Sequence, residues 1–350
     1  MSIYKILLGL FLLFAHNIVA QNSIKLLTEK KGVSLRGLSV PNDQVIWASG
    51  SKGTIAKSVD GGKSFEWIQV KNYALRDFRA IHAWNSNEAI VVAVAAPAII
   101  LKTKDGGVSW DKVYENTDTA MFLDAIHFKD TENGFVVGDP INGNIFLLST
   151  RDKGDSWQQV PSSFFKSNLN KGEAFFASSN SNIAMNNKDL FFVSGGISSR
   201  LWINGLAMDL PITQGRNSTG ANSIAISPNG NQITIVGGDF AKDKYTDSAI
   251  VKLELHVQPN TDNKHLSLRN PIWRLDKNVA NPNGYRSSVI YLDNKTLIVC
   301  GTSGVDISNN RGQNWQLVSK ESFHVVHIQP NTKNAIFAGA GGRIGMLSLD

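Results

Sequence analysis

The chain has 350 residues, with 35 lysines and arginines against 29 aspartates and glutamates, a formal net charge of +6. The excess is small and no basic cluster accompanies it, so nothing supports a nucleic-acid partner. Cys300 is the only cysteine, which excludes an internal disulfide and a cysteine-based zinc cluster.

In chain order, Met1 to Ala20 comes first, with Lys5 ahead of the apolar run ILLGLFLLFA and a small residue before Gln21. About ten apolar residues are too few to span a bilayer as a helix, so the pattern predicts a secretory signal peptide. The remainder, residues 21–350, is expected to be a single exported domain, periplasmic or secreted. It contains no later stretch apolar enough for a membrane span and no lipid-attachment cysteine near the cleavage point. SIKLLTE, Ser23 to Glu29, is predicted as the first strand.

A motif then recurs: SVDGGKSF from Ser58, TKDGGVSW from Thr103, TRDKGDSW from Thr150 and SNNRGQNW from Ser308. Its acidic position falls at Asp60, Asp105 and Asp152, with Asn310 in the fourth copy. The last interval is about three periods long and holds two degenerate units, beginning at Glu173 and Ala221. A seventh unit closes the chain. Each unit reads as short strands separated by Gly, Asn, Asp and Pro turns, with no helical periodicity. Units of about 40 to 50 residues with four such strands are propeller blades. The expected fold is all-β: a seven-bladed β-propeller of four-stranded antiparallel blades. The seventh unit lacks a fourth strand, which SIKLLTE would supply, closing the ring and leaving no exposed edge. A monomer is expected.

The pattern Ser/Thr-x-Asp-x-Gly-x-x-Trp/Phe resembles the Asp-box repeat of sialidase-like propellers. Together with GYRSSVIYLDNKTLIVCGTSG and the terminal AGAGGRIGML, the chain resembles the photosystem II stability/assembly factor-like branch. The resemblance implies a propeller, and in that branch an arginine-lined patch engages a partner protein. Fold alone does not fix activity, because such repeats occur in hydrolases, receptors and assembly factors.

The box itself reads as structural. It sits on the turn between the third and fourth strands, where the carboxylate can bond turn amides, glycine supplies a positive φ and the aromatic packs between blades. Copies spaced around a ring cannot converge on one substrate. The run of serines and asparagines around Asn180 reads as solvated loop.

Function is sought where blades converge. Aligned by apolar alternation, the first strands give one polar column: Arg36, Arg79, Asp124, Glu173, Asn222, Arg286 and His324, one residue per blade. Polar groups there are costly unless they bond each other, water or a ligand. Arg286, His324, Arg36 and Arg79 form a basic arc, and Asp124 and Glu173 a shorter acidic one. Segregated signs suit an acidic or zwitterionic ligand, a glycan or a partner protein, with guanidinium forks on carboxylate or phosphate. The loops between second and third strands open on the same face and are expected to bring Asp139, Asp239 and Tyr245 near the ring. Either aspartate could instead cap its own turn. Asp306 replaces an apolar residue in a third strand and is expected to pair with a neighbour such as Arg286.

Two function classes follow. One is a binding and assembly module. The other is a sialidase-like glycoside hydrolase using Tyr285, Glu173 and Asp124, by resemblance to sialidases, which hold a carboxylate with three arginines. The arginine-isoleucine-proline motif of those enzymes is absent at Arg36 and Arg79, which favours binding. No cofactor is expected. His82, His127 and His327 lie on other columns and are expected to serve packing rather than metal binding. Calcium at the Asp139 or Asp239 loops stays an open alternative.

Overall fold

The computed structural model describes residues 23–257 and 271–349. The expected signal peptide lies outside them. Seven antiparallel sheets surround one axis. Blade 1 runs Leu35–Ser39, Ile46–Gly50, Thr54–Ser58 and Glu66–Gln69 from axis to rim, and blades 2 and 3 repeat this order over 78–116 and 123–159. Blade 4 spans 183–209, blade 5 is built from strands within 219–257 and 271–275, and blade 6 spans 288–319. Blade 7 is built from Val325–Ile328, Ala335–Ala338 and Ile344–Leu347, and its outer strand is Lys25–Thr28. Lys25 pairs with Met346 and Leu26 with Gly345, so both termini share one blade.

The energetics follow from the alternation of side chains. Middle strands such as Ile46–Gly50 and Ala89–Ala93 are buried along their whole length. Their successive side chains point into two different gaps, as a period of two requires. Ile55 packs with blade 2, whereas its neighbour Ala56 packs with blade 7. The apolar core accordingly divides into seven clusters, one for each gap between adjacent blades. Outer strands such as Glu66–Gln69 are half exposed.

The recurring turn fastens four of the gaps at the rim. Ser58 Oγ donates to Asp60 Oδ1 at 2.8 Å, the Ser64 amide donates to the same oxygen at 3.0 Å, and Ser64 Oγ donates to Oδ2 at 2.6 Å. The pattern repeats at Asp105 and Asp152, and Asn310 reproduces its amide contact from Asn314. Hydrogen bonds from Ser109 hold the Asp105 carboxyl down at about 2. The second glycine, Gly62, has φ +89°. A Cβ there would meet Leu27 Cδ1 of the closing strand at 2.8 Å, and one on Gly107 would meet Ile68 Cδ1 of blade 1 at 2.9 Å. The positive φ therefore favours glycine, and a side chain there would also displace a methyl of the neighbouring blade. The aromatic enters the same gap: Trp110 meets Trp47 edge-on at 6.5 Å, and Phe65 packs on the cluster between blades 7 and 1. The box carboxylates are fully engaged by their own turns.

Removing residues 23–29 would uncover the third strand of blade 7 and withdraw Ile24 and Leu27 from two gaps. At roughly 1.5–3 kcal/mol for each well-buried aliphatic side chain, stability should fall by roughly 3 kcal/mol. Thermal or urea unfolding of the truncated chain measures this; an unchanged midpoint would mean that the ring does not depend on terminal closure.

Candidate functional site at the channel mouth

The inner strands of blades 1, 2, 3 and 5 each carry one extra residue near the axis, a bulge in the pairing with the second strand. Those residues are Arg36, Arg79, Asp124 and Asn222. The register shifts across Leu35/Gly37, Phe78/Ala80, Leu123/Ala125 and Ala221/Ser223. A bulge re-aims the side chain it displaces. Arg36, Arg79 and Asn222, together with His324 of blade 7, line a pocket of about 450 Å³ at the mouth of the channel. Asp139 from the end of the second strand of blade 3 and Phe240 from the second-to-third connection of blade 5 join them, along with Phe122, Phe176 and Tyr285.

The inner strand of blade 4 departs from the other blades. Glu173–Ala174 pairs with Gly195–Gly196, the regular strand resumes at Ile183–Met185, and the intervening chain crosses the axis. Arg36 Nη1 donates to Ser178 O from blade 1, and Ser179 Oγ donates to Ser287 O of blade 6. Asn180 Nδ2 donates to Ile81 O of blade 2, while Asn180 Oδ1 accepts from the Ile126 amide of blade 3. Ser181 Oγ donates to Ser223 Oγ of blade 5. Residues 178–181 thus form a septum tied to five other blades. The serine and asparagine run that reads as solvated loop is in fact largely buried at the centre of the molecule. Gly195 and Gly220 permit the crossing: they pair directly, and a Cβ on Gly220 would sit 2.3 Å from Gly195 Cα.

Three members of the expected column do not line the mouth pocket: Asp124, Glu173 and Arg286. Glu173 is buried inside blade 4, where it accepts from Arg200 Nε at 3.0 Å, Arg200 Nη2, Trp202 Nε1 at 3.1 Å, Ser194 Oγ and the Asn170 amide. Arg286 is fully buried inside blade 6. Its Nε donates to Asp306 Oδ2 at 2.8 Å, its Nη1 to Tyr285 O and Ser303 Oγ, and its Nη2 to Asn283 O at 3.0 Å. Asp306 therefore pairs with Arg286, as the sequence suggests. Arg286 is one residue out of register: in blade 6 the place of Asn222 belongs to Ser287, a pocket-lining residue, because Ser288 pairs with Cys300 as Ser223 pairs with Val236. Asp239 also leaves the mouth. It caps the short turn Phe240–Lys242 by accepting from the Ala241 amide and lines a smaller side pocket with Tyr245.

The electrostatics of the mouth are set by burial. Burial and the neighbouring Arg79 depress the Arg36 pKa, yet a guanidinium stays charged in proteins. Among the described residues Arg36 has one hydrogen bond, the 3.2 Å contact with Ser178 O. Arg79 pairs through Nε with Asp77 at 2.7 Å. His324 Nδ1 lies 3.0 Å from Leu35 O. Burial, reinforced by Arg36, pushes its pKa down to about 4, so the ring is neutral and its proton serves that carbonyl. Burial pushes the Tyr285 phenol up to about 12 while its hydroxyl donates to Asn222 Oδ1 at 2.9 Å.

Asp124 is fully buried beside this wall, and neither oxygen closes a hydrogen bond of ordinary geometry. Burial, with Asp139 adding and Arg79 opposing, raises its pKa well above the carboxylate range. Burial also raises Asp139, against the Phe175 amide that donates to it at 2.9 Å. The expected acidic arc of Asp124 and Glu173 therefore does not form: Glu173 is held inside blade 4, burial disfavours the charged forms of Asp124 and Asp139, and Arg36 and Arg79 give the mouth its basic character. The parts of a sialidase do not assemble here. Tyr285 is partnered by Asn222, and Glu173 is neutralised by Arg200 in another compartment.

Arg286→Ala should destabilise by about 3–5 kcal/mol, because it leaves the Asp306 carboxylate buried without its partner. Adding Asp306→Ala should recover part of that loss; fully additive losses in chemical unfolding would refute the coupling. Asp124 supplies a pH test. An acid with a raised folded pKa makes the folded state bind more protons, so stability falls as pH climbs from near 4 through the folded value. Asp124→Asn should therefore stabilise by about 1–3 kcal/mol at pH 8, with the gain shrinking toward pH 4. Melting curves across that range would instead stay parallel if Asp124 were well partnered.

Residues 85–168 match the family model described as Photosynthesis system II assembly factor YCF48. No curated protein sequence matches the chain. Among solved structures, "YCF48 bound to D1 peptide" superposes with a TM-score of 0.59 and 16% identity, over 92% of this chain and 96% of that one. YCF48 from Cyanidioschyzon merolae gives 0.57 and 15%, over 93% and 98%. Repeats, ring and matched segment agree on an Asp-box propeller that resembles the photosystem II assembly factors.

Proposed function

We propose that the protein is an exported binding and assembly module whose channel mouth accepts an acidic segment of a partner protein. The observation that carries this reading is Arg36: its guanidinium lines the pocket with a single carbonyl contact and no carboxylate partner among the described residues. A group so placed is left to bond an incoming anion. Phe122, Phe176 and Phe240 surround it, which favours an acidic group flanked by apolar or aromatic residues. Phe240 is also half exposed and offers apolar contact at the pocket edge. The neighbour in fold bound to a peptide lends support to a protein partner. Export rests on the apolar run before Gln21, and N-terminal sequencing of the mature protein would check it.

The test compares acidic peptides flanked by aromatics with their Asn/Gln counterparts by fluorescence anisotropy, together with capture of partners from the exported fraction. Arg36→Ala should weaken acidic-peptide binding by about 1.5–3 kcal/mol for the charge-assisted bond lost, and the melting temperature should hardly move. Arg79→Ala should weaken it less, since Asp77 already neutralises part of that charge. Equal binding of acidic and amide peptides, or partners retained by a folded Arg36→Ala, Arg79→Ala double variant, would sink the assignment.

A further inference from the structure

Beneath the septum the axis opens a second time, toward the face that carries the Asp-box turns. This lower chamber measures about 440 Å³ and is lined by the last residues of the inner strands. No lysine, arginine, aspartate or glutamate lines it. Three histidines do. His82, His127 and His327 hold one register position in blades 2, 3 and 7, paired with Ile90, Phe135 and Ile336. Blade 1, which lies between blades 7 and 2, has Ser39 there, paired with Trp47.

Packing of the kind expected for these histidines is seen at His82. His82 lies against Trp84 and Phe128, at centroid distances of 4.8 and 4.7 Å. Packing does not account for their nitrogens. Among the described residues none of the three imidazoles forms a hydrogen bond, whereas His324 at the upper mouth meets Leu35 O. Burial pushes His82 down to about 3 and His127 and His327 to about 4, so all three stay neutral at physiological pH. Each then offers one N–H and one lone pair. No three ligating side chains among the described residues come together closely enough to hold a metal ion. An occupant must span the space between the rings.

We propose that the lower chamber is a binding site for an uncharged, mainly apolar small molecule bearing hydroxyl or carbonyl oxygens, which the three imidazoles recognise. Three facts select that class. The walls are apolar apart from the imidazoles, Ser39, Asn180, two further serines and Tyr291, whose hydroxyl is already paired with Thr234 Oγ1, so burial of hydrocarbon drives entry. A charged ligand would be desolvated with no counter-charge to meet it. The volume falls within the usual range for small-molecule pockets. The septum separates this chamber from the cationic mouth, so the two sites select opposite chemistries within one ring.

The probes are 2-naphthol, uncharged at pH 7, and 2-naphthalenesulfonate, the same ring system carrying an anion, with binding followed by calorimetry and ligand-observed NMR. The wild-type protein should bind 2-naphthol, and His127→Leu with His327→Leu should weaken it at least tenfold. Ala225 occupies the equivalent register position in blade 5, paired with Thr234, and Ala225→Phe should block the chamber and abolish binding without touching a histidine. Arg36→Ala should leave 2-naphthol unaffected and diminish only the sulfonate. The proposal fails if folded wild-type protein does not bind 2-naphthol, if a folded Ala225→Phe variant still does, or if the sulfonate competes for the same site. Should the histidine pair unfold the protein, the Ala225→Phe result decides alone.

Discussion

Each blade buries both faces of its sheet against different neighbours, and this constraint leaves a polar side chain few places to go. One is the rim, where the Asp-box carboxylates exhaust their acceptors on their own turn amides and hydroxyls. Another is the blade interior, where polarity survives only as a closed network. Glu173 with Arg200, and Arg286 with Asp306, have almost every donor and acceptor engaged. The last is the axis, where neighbouring blades converge and cannot fill space with their own backbones. Ligand chemistry is concentrated there because only there can a charge remain without an intramolecular partner. Arg36 is that case, and Asp124 is its inverse, a carboxyl whose lack of partners drives it toward neutrality.

The fold is legible in the sequence because its signals are local. Ser/Thr, Asp, Gly and an aromatic within eight residues encode one turn, and the spacing of those turns encodes the blade. Closure by Lys25–Thr28 is legible for a related reason: a unit one strand short and a strand without a unit can satisfy each other. The column at the axis is less legible, because alternation of apolar residues does not reveal a bulge. One residue of shift turns a side chain to the other face. In YRSS the arginine is the conspicuous residue, but the second-strand pairing places Ser287 at the mouth and sends Arg286 into the blade. Asp306, a carboxylate in an otherwise apolar third-strand position, already points to Arg286 as its partner, and a guanidinium held by a buried carboxylate is not free to face the mouth.

Blade 4 shows a different limit. Its inner strand is cut in two by a crossing whose composition, mainly serine and asparagine, is that of a surface loop. Short polar side chains suit a surface because water satisfies them. They suit the axis equally well, because inner-strand groups there, such as Ile81 O, Ser287 O and the Ile126 amide, need partners that their own sheets do not supply. Ser179, Ser181 and Asn180 do at the centre what water would do in an open channel. Composition cannot tell the two settings apart. Only the long-range partners can, and those lie 42 to 108 residues away for these three side chains.

The septum also determines what the mouth can be. An open channel lined by charges would be hydrated from both ends, and solvent would screen each guanidinium. Closing the floor turns the upper half of the axis into a blind pocket, where the effective dielectric is lower and an anion meeting Arg36 gains more than it would on the surface. Burial raises the pKa of Asp124 and of Asp139 and so weakens their opposition to the arginines. Basic character at the mouth thus comes from Arg36 and Arg79 together with burial that disfavours the charged forms of the acidic groups nearby. Arg36 is fastened to that floor through Ser178 O. An anion that draws the guanidinium outward must therefore pull against the element that closes the pocket and holds the blades together at the axis.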